Sequence, residues 1–337
     1  MKKIVLAFLV IVTIVLAFIA LNFLSVFKPV SSDTNAVTVE IPKGSSTTYI
    51  AITLEEKKLI KNAYAFKVLS KFKKYDGKYK AGLYSLSPSM TPETMMKIIA
   101  GGKSDVVKLT VPEGLTLSQI AEKLETLGIC SQQEFFNEIE NGKFDYKFVK
   151  GLPDGQNRLE GFLYPETYFV YKNASAHDCI DKMLAQFDSL FTNDYYKKAK
   201  EMNLSVLEVV TVASLIERET SAASEGGKVA SVIYNRLSVG QPLGIDATIQ
   251  YALPAHKDRL NYEDLKVDSP YNTYKNKGLP PGPICSPGIA AINAALNPED
   301  TDYFYYVLSP NNDGTHNFSN SYTEFLVNKK KYKESLK

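Results

Sequence analysis

Residues 205–220 read SVLEVVTVASLIERET, apolar at nearly every position until Glu217-Arg218-Glu219-Thr220. Ser205 and Glu208 have the spacing of a capping box, in which a Ser at the N-cap and a Glu at N3 bond each other's exposed amides, so a helix is predicted to start at Val206. The apolar stretch belongs inside a core, and two carboxylates arrive at its end. A carboxyl group held against apolar surface keeps its proton to higher pH than a solvated one, the condition for a general acid working near neutrality. Residues two apart on a helix are rotated by about 200°, so Glu217 and Glu219 cannot share a face and are not a paired dyad. Glu219 continues the stripe Val212, Leu215, Ile216, and Glu217 continues Val210, Ala213, Ser214. Burial can desolvate either; one is expected to face a cleft while the other holds the helix or a loop. The plainer alternative pairs both with Arg218 and Arg236.

The rest of the chain limits what such an acid could serve. With 337 residues, 45% hydrophobic, 23% charged and a formal net charge of +2, the composition is that of a globular protein with room for two domains. So neutral a balance argues against nucleic acid as the main partner. From Ile4 to Phe27 no residue is charged, longer than the roughly 20 residues that span a bilayer as a helix. Lys2 and Lys3 precede this run and Lys28 follows it, which places the N-terminus in the cytoplasm and the remainder outside. A cleaved signal peptide is the alternative, but the run exceeds the usual signal core of about 7 to 15 residues and lacks a small-x-small cleavage site. Cys130, Cys179 and Cys285, like His177, His256 and His316, are scattered without ligand spacing, so neither a metal nor another cofactor is expected.

After a polar tether at 28–36, Val37-Thr38-Val39-Glu40-Ile41 alternates as a half-buried strand. It ends at Pro42-Lys43-Gly44, and Ile50, Ala51 and Leu54 follow in helical register. Pro112, Gly114, Ile120, Ala121 and Leu124 repeat this word at an offset of 70 residues. An internal repeat of this kind implies two strand-turn-helix units. Gly82-Leu83-Tyr84 and Gly161-Phe162-Leu163-Tyr164 read as the aromatic strand later in each. The units resemble LysM modules, small βααβ folds that bind wall glycans containing N-acetylglucosamine. Beyond Ala176 the pattern is helical, with a further amphipathic helix over Glu225 to Leu237. The Gly- and Pro-rich stretch from Gly240 to Gly288 reads as loop, the usual place for a site on a rigid scaffold.

Five segments, in order, carry a more specific resemblance: Ala213 to Thr220, Ala230 to Leu237 (ASVIYNRL), Asp246-Ala247-Thr248, Ser269 to Tyr274 (SPYNTY) and Gly278 to Ile284 (GLPPGPI). With the apolar N-terminus and Glu160 to Tyr168 (EGFLYPETY), they resemble the MltG (YceG-like) family of endolytic murein transglycosylases over nearly the whole chain. The resemblance implies an α+β architecture: a single transmembrane helix (4–27) after a cytoplasmic tip (1–3), a tether (28–36), a LysM-like βααβ domain (37–108), and a mixed α/β catalytic domain (109–337) holding the second LysM-like repeat. It implies a catalytic acid at Glu219, the second Glu of the E-[KR]-E-T motif.

That family cleaves the β-1,4 bond between N-acetylmuramic acid and N-acetylglucosamine in nascent strands, ending their elongation. Ordinary glycosidases need two carboxylates; here the muramic acid C6 hydroxyl closes on C1 to leave a 1,6-anhydro end, so one suffices. Glu217, Thr220, Asn235, Asp246, Tyr271, Asn272, Thr273 and Tyr274 fall in the matched motifs and are expected to bind substrate or support those that do. For Asn235 and Asn272 a sugar-facing role is favoured over turn chemistry; the role of Asp246 is open. Peptidoglycan strands and the cytoplasmic membrane are the expected partners, with wall synthases as further ones. Many relatives have Trp where this chain, which has none, has Tyr and Phe. A non-catalytic wall-binding scaffold is the competing reading. Serine acyl transfer is disfavoured, because Ser70-Lys71-Phe72-Lys73 matches S-x-x-K without the S-D-N or K-T-G that should accompany it.

Overall fold

The structure is a computed structural model that describes residues 26–102, 106–220, 223–311 and 313–336. The apolar run at 4–27 lies, except for its last two residues, outside the described residues, and with it the expected membrane helix. Among the described residues no helix is long and apolar enough to cross a membrane. Twelve α-helices and three two-stranded sheets are described, and the described residues divide between two compact units, those from 26 to 108 with 169–173, and those from 109 to 168 with 174–336.

The first unit runs β1 (Val37–Ile41), α1 (Thr47–Glu56), α2 (Ala63–Phe72), β2 (Gly82–Leu86) and α3 (Pro92–Gly101). β1 and β2 pair antiparallel with Val39 opposite Tyr84. Their inward residues Val39, Ile41, Tyr84 and Leu86 close one core with Ile50, Leu54 and Phe66 from the helices and Met95, Met96 and Ile99 from α3. The chain is already docked before β1: the Val30 and Ser31 amides donate to the Pro88 carbonyl, and the Ser89 amide to that of Asp33.

The stretches related by the 70-residue offset adopt the same local structure. β3 (Val106–Thr110) leads into α4 (Leu117–Thr126) and α5 (Gln132–Asn141) as β1 leads into α1 and α2. Gly44 and Gly114 sit at φ +83° and +81°, a left-handed conformation that glycine adopts without strain. Ser46 and Thr116 each cap the following helix, and both copies bury Ile, Ala and Leu at matching places. The closing strand differs. Gly161 to Tyr164 is a buried turn and not the expected strand; the partner of β3 is β4 (Thr167–Tyr171). Gly161 lies at φ +85°, and a Cβ there would come within 2.5 Å of Pro283 and 2.9 Å of Val210, which excludes an extended, side-chain-bearing residue.

The second unit continues with α6 (Ala176–Leu190), α7 (Asn193–Glu201), α8 (Val206–Glu219), α9 (Gly226–Ser238), α10 (Asp246–Ala252), α11 (Ile289–Leu296), the hairpin β5 (Tyr305–Leu308) and β6 (His316–Ser319), and α12 (Tyr322–Ser335). α8 is its axis. The Ser205–Glu208 capping box is formed, every residue from Val209 to Ile216 is buried, and α9, α10 and α11 pack around it. The stretch expected to be loop from Gly240 to Gly288 therefore contains a helix. α10 escapes the periodicity because seven residues complete barely two turns.

Candidate active site

α8 delivers its two glutamates in opposite directions. Glu219 is the last helical residue, and Thr220 closes the helix, its amide and hydroxyl both donating to the Ile216 carbonyl. The Glu219 carboxylate accepts a 2.8 Å hydrogen bond from the Tyr306 hydroxyl, which β5 brings from 87 residues downstream. Burial drives the Glu219 carboxyl up to about 7, against the Tyr306 bond and the charges of Arg236 and Arg218, while Asp246 adds to the rise. The negative end of the α8 dipole acts in the same direction as burial. Part of Glu219 is still open to solvent, so the proton it holds near neutrality is accessible.

Glu217 turns the other way and accepts the Gly288 amide at 3.0 Å, at the N-cap of α11. Burial raises its carboxyl as well, but its oxygen is engaged in bracing two helices together. Neither arginine forms an ion pair with either glutamate among the described residues. Arg236 donates instead to the carbonyls of Phe304, at 2.6 Å, and Leu243. It fixes the start of the strand that carries Tyr306 and acts on Glu219 only as a nearby charge.

The other expected residues divide between the surface and the supporting framework. Asp246 opens α10 and accepts the Tyr274 hydroxyl; both residues are exposed. Asn272 is completely buried. Its amide donates to the Leu265 and Val267 carbonyls at 3.0 and 2.8 Å, and its oxygen accepts the Tyr274 amide at 3.0 Å. Asn235 donates to the Thr301 and Tyr303 carbonyls, both at 2.9 Å. Both asparagines, expected to face sugar, turn their amides to the backbone of loops that carry the tyrosines. Thr273 is buried too, accepting the Ile245 amide and bonding Thr248. Tyr271 packs its ring at 4.8 Å on Tyr251.

Two contributors escaped the sequence reading. Tyr306 had no signal beyond the aromatic alternation of YFYYVL at 303–308. Glu160 did have one, an acid inside the apolar run LEGFLYP. It is 3% exposed and accepts the Leu117 amide at 3.1 Å and the Tyr251 hydroxyl at 3.0 Å. Burial pushes its carboxyl up to about 8, so it is mostly neutral at pH 7. Glu160 lies in a cleft of about 400 Å³ lined also by Gln119, Asn157, Arg218, Ala247, Gln250 and Tyr251. Arg218 and Ala247 are the chain neighbours of Glu219 and Asp246. Gly114 lines the cleft too, with Arg218 Nη1 only 3.4 Å from where a Cβ would stand.

The surroundings of Glu219 predict two opposite shifts. Tyr306→Phe removes a bond that favours the carboxylate, so the alkaline limb of kcat/KM should move to higher pH. Asp246→Asn removes a like charge and should move that limb to lower pH. Rate profiles of the two variants in the same buffers check this; shifts in one common direction would contradict the assignment of Glu219 as the titrating acid.

The YceG-like family profile matches residues 39–331. An endolytic murein transglycosylase of Bacillus subtilis (strain 168) is 36% identical over 321 residues, covering 91% of this chain and 88% of the relative. An endolytic murein transglycosylase of Streptococcus pneumoniae (serotype 2, strain D39) is 35% identical over 298 residues, 80% of this chain but 54% of that longer relative. A crystal structure of a YceG-like protein from Listeria monocytogenes superposes with a TM-score of 0.59 at 37% identity, covering 88% of this chain and 99% of that one.

Proposed function

The chain belongs to the YceG-like family, and from that premise we propose that it is an endolytic peptidoglycan lytic transglycosylase with Glu219 as its one catalytic acid and base. The observation that carries this reading is the state of Glu219: a carboxyl at a helix end, raised to about 7 by burial and held by Tyr306. The protonated Glu219 gives its proton to the glycosidic oxygen between N-acetylmuramic acid C1 and N-acetylglucosamine O4, and the C1–O4 bond breaks. The muramic acid C6 hydroxyl then bonds to C1, and its proton returns to the Glu219 carboxylate. No water is consumed, and the enzyme ends in its starting protonation state. The neighbouring carboxylates support a one-acid mechanism, since Glu217 is bonded to the Gly288 amide and Asp246 to the Tyr274 hydroxyl.

The finer features belong to the same proposal. Residues 4–27 anchor the chain in the cytoplasmic membrane with the folded part outside, close to nascent strands whose growth the cut ends and to the synthases that make them. The βααβ order of the first unit and its echo in the second support a LysM-like scaffold for holding glycan. The test is digestion of purified, peptide-bearing glycan strands, with products identified by mass spectrometry. Ends carrying 1,6-anhydro-N-acetylmuramic acid are expected. Hydrated reducing ends would identify a hydrolase, and intact strands a scaffold without catalysis.

A further inference from the structure

The solvent side of α2 does not look like ordinary surface. Ala65, Phe66 and Ser70 face the core, whereas Tyr64, Val68 and Phe72, spaced by four, share the outer face and are 75%, 42% and 79% exposed. Lys67 and Lys71, also exposed, fall on one edge of this stripe at about 100° per residue. Three large apolar side chains in a row on one helix face differ from the singly scattered ones that any surface tolerates. The charge around them is equally uneven. Residues 57–80 hold nine lysines and one acid, Asp76, in a chain whose formal net charge is only +2, so the rest of the chain is net negative; of the nine, Lys73 is paired with Glu93 at 3.0 Å.

The stripe favours an apolar medium and the lysines favour anions. A soluble polyanion would satisfy the lysines and leave the rings in water. A protein groove would take the rings without calling for such an excess of one charge. An anionic bilayer surface answers both, with rings at the headgroup boundary and lysine stems lying along the apolar face while their ammonium groups meet phosphate. Tether length agrees. The unit is docked from Val30 onward through the Pro88 carbonyl, so only Lys28 and Pro29 separate it from the apolar run at 4–27.

We propose that the Tyr64–Val68–Phe72 face of α2, edged by Lys67 and Lys71, docks on an anionic phospholipid surface. The inference rests on the proposed anchoring by residues 4–27 and is independent of the catalytic reading. Because the chain lacks Trp, Phe72→Trp introduces a single emitting indole at the centre of the claim. The full-length variant is placed in nanodiscs of brominated phosphatidylcholine, with and without brominated phosphatidylglycerol. With phosphatidylglycerol the emission should shift to the blue and be quenched; without it the indole should stay solvent-like. Adding Lys67→Gln and Lys71→Gln should lower the docked-to-undocked ratio roughly 25-fold. Unchanged circular dichroism and an unchanged urea midpoint exclude unfolding as the cause. Equal quenching in both kinds of disc, or solvent-like emission in both, would overturn the proposal. So would a blue shift produced by inorganic polyphosphate without lipid, which would mark a polyanion site.

Discussion

Glu219→Gln is expected to lower kcat for strand cleavage by about 10⁴-fold, the upper end of what one general acid–base contributes, because both proton transfers use this residue. Glycan binding should persist, since Gln keeps the volume and an oxygen for Tyr306. The same variant carries a stability signature of defined sign. Burial raises the Glu219 carboxyl from its ordinary 4.5 to about 7. Between those values the native state holds a proton that the unfolded state releases, so stability falls as pH rises through the window. By about pH 8 the loss reaches at most about 3 kcal/mol, and Gln does not incur it. The variant should therefore be inactive yet more resistant to urea than the parent near pH 8, with the difference vanishing near pH 4. Retained cleavage would remove Glu219 from the mechanism, and lower resistance near pH 8 would contradict its desolvation.

Asn272→Ala should destabilise the second unit by about 3 kcal/mol. The substitution removes three hydrogen bonds, to the Leu265 and Val267 carbonyls and from the Tyr274 amide, made by a completely buried side chain, and each such bond contributes about 0.5–1.5 kcal/mol. Cleavage should weaken as well, because the loop it holds presents Tyr274 to Asp246, whose charge helps keep Glu219 protonated. Urea unfolding at fixed pH reads the first effect. A loss below about 0.5 kcal/mol, typical of ordinary surface changes, would show that the clamp is not needed.

The legible parts of the fold were those written in short-range spacing. The Ser205–Glu208 box, the 200° divergence of Glu217 from Glu219 and the 70-residue echo of the Gly44 turn at Gly114 each depend on residues close together in the chain, where helix and turn geometry leave little choice. The illegible parts depend on which distant groups meet. Nothing local connects Tyr306 to Glu219, or Tyr251 to Glu160 across 91 residues. Asn272 has the composition of a sugar ligand, and only packing reveals that its amide points inward. Gly161 read as strand because aromatic residues follow it; the approach of Pro283 makes it a turn.

The hydrogen bond from Tyr306 has a consequence in time. Tyr306 follows Glu219 by 87 residues, so a growing chain already has α8, with Glu219 at its end, before the residue that bonds it exists. Contacts of such long sequence separation form late, because loop closure must precede them. Until that hairpin is made, the Glu219 carboxylate at the end of α8 lacks its Tyr306 donor. The site is complete only once the hairpin at 305–319 has joined α8.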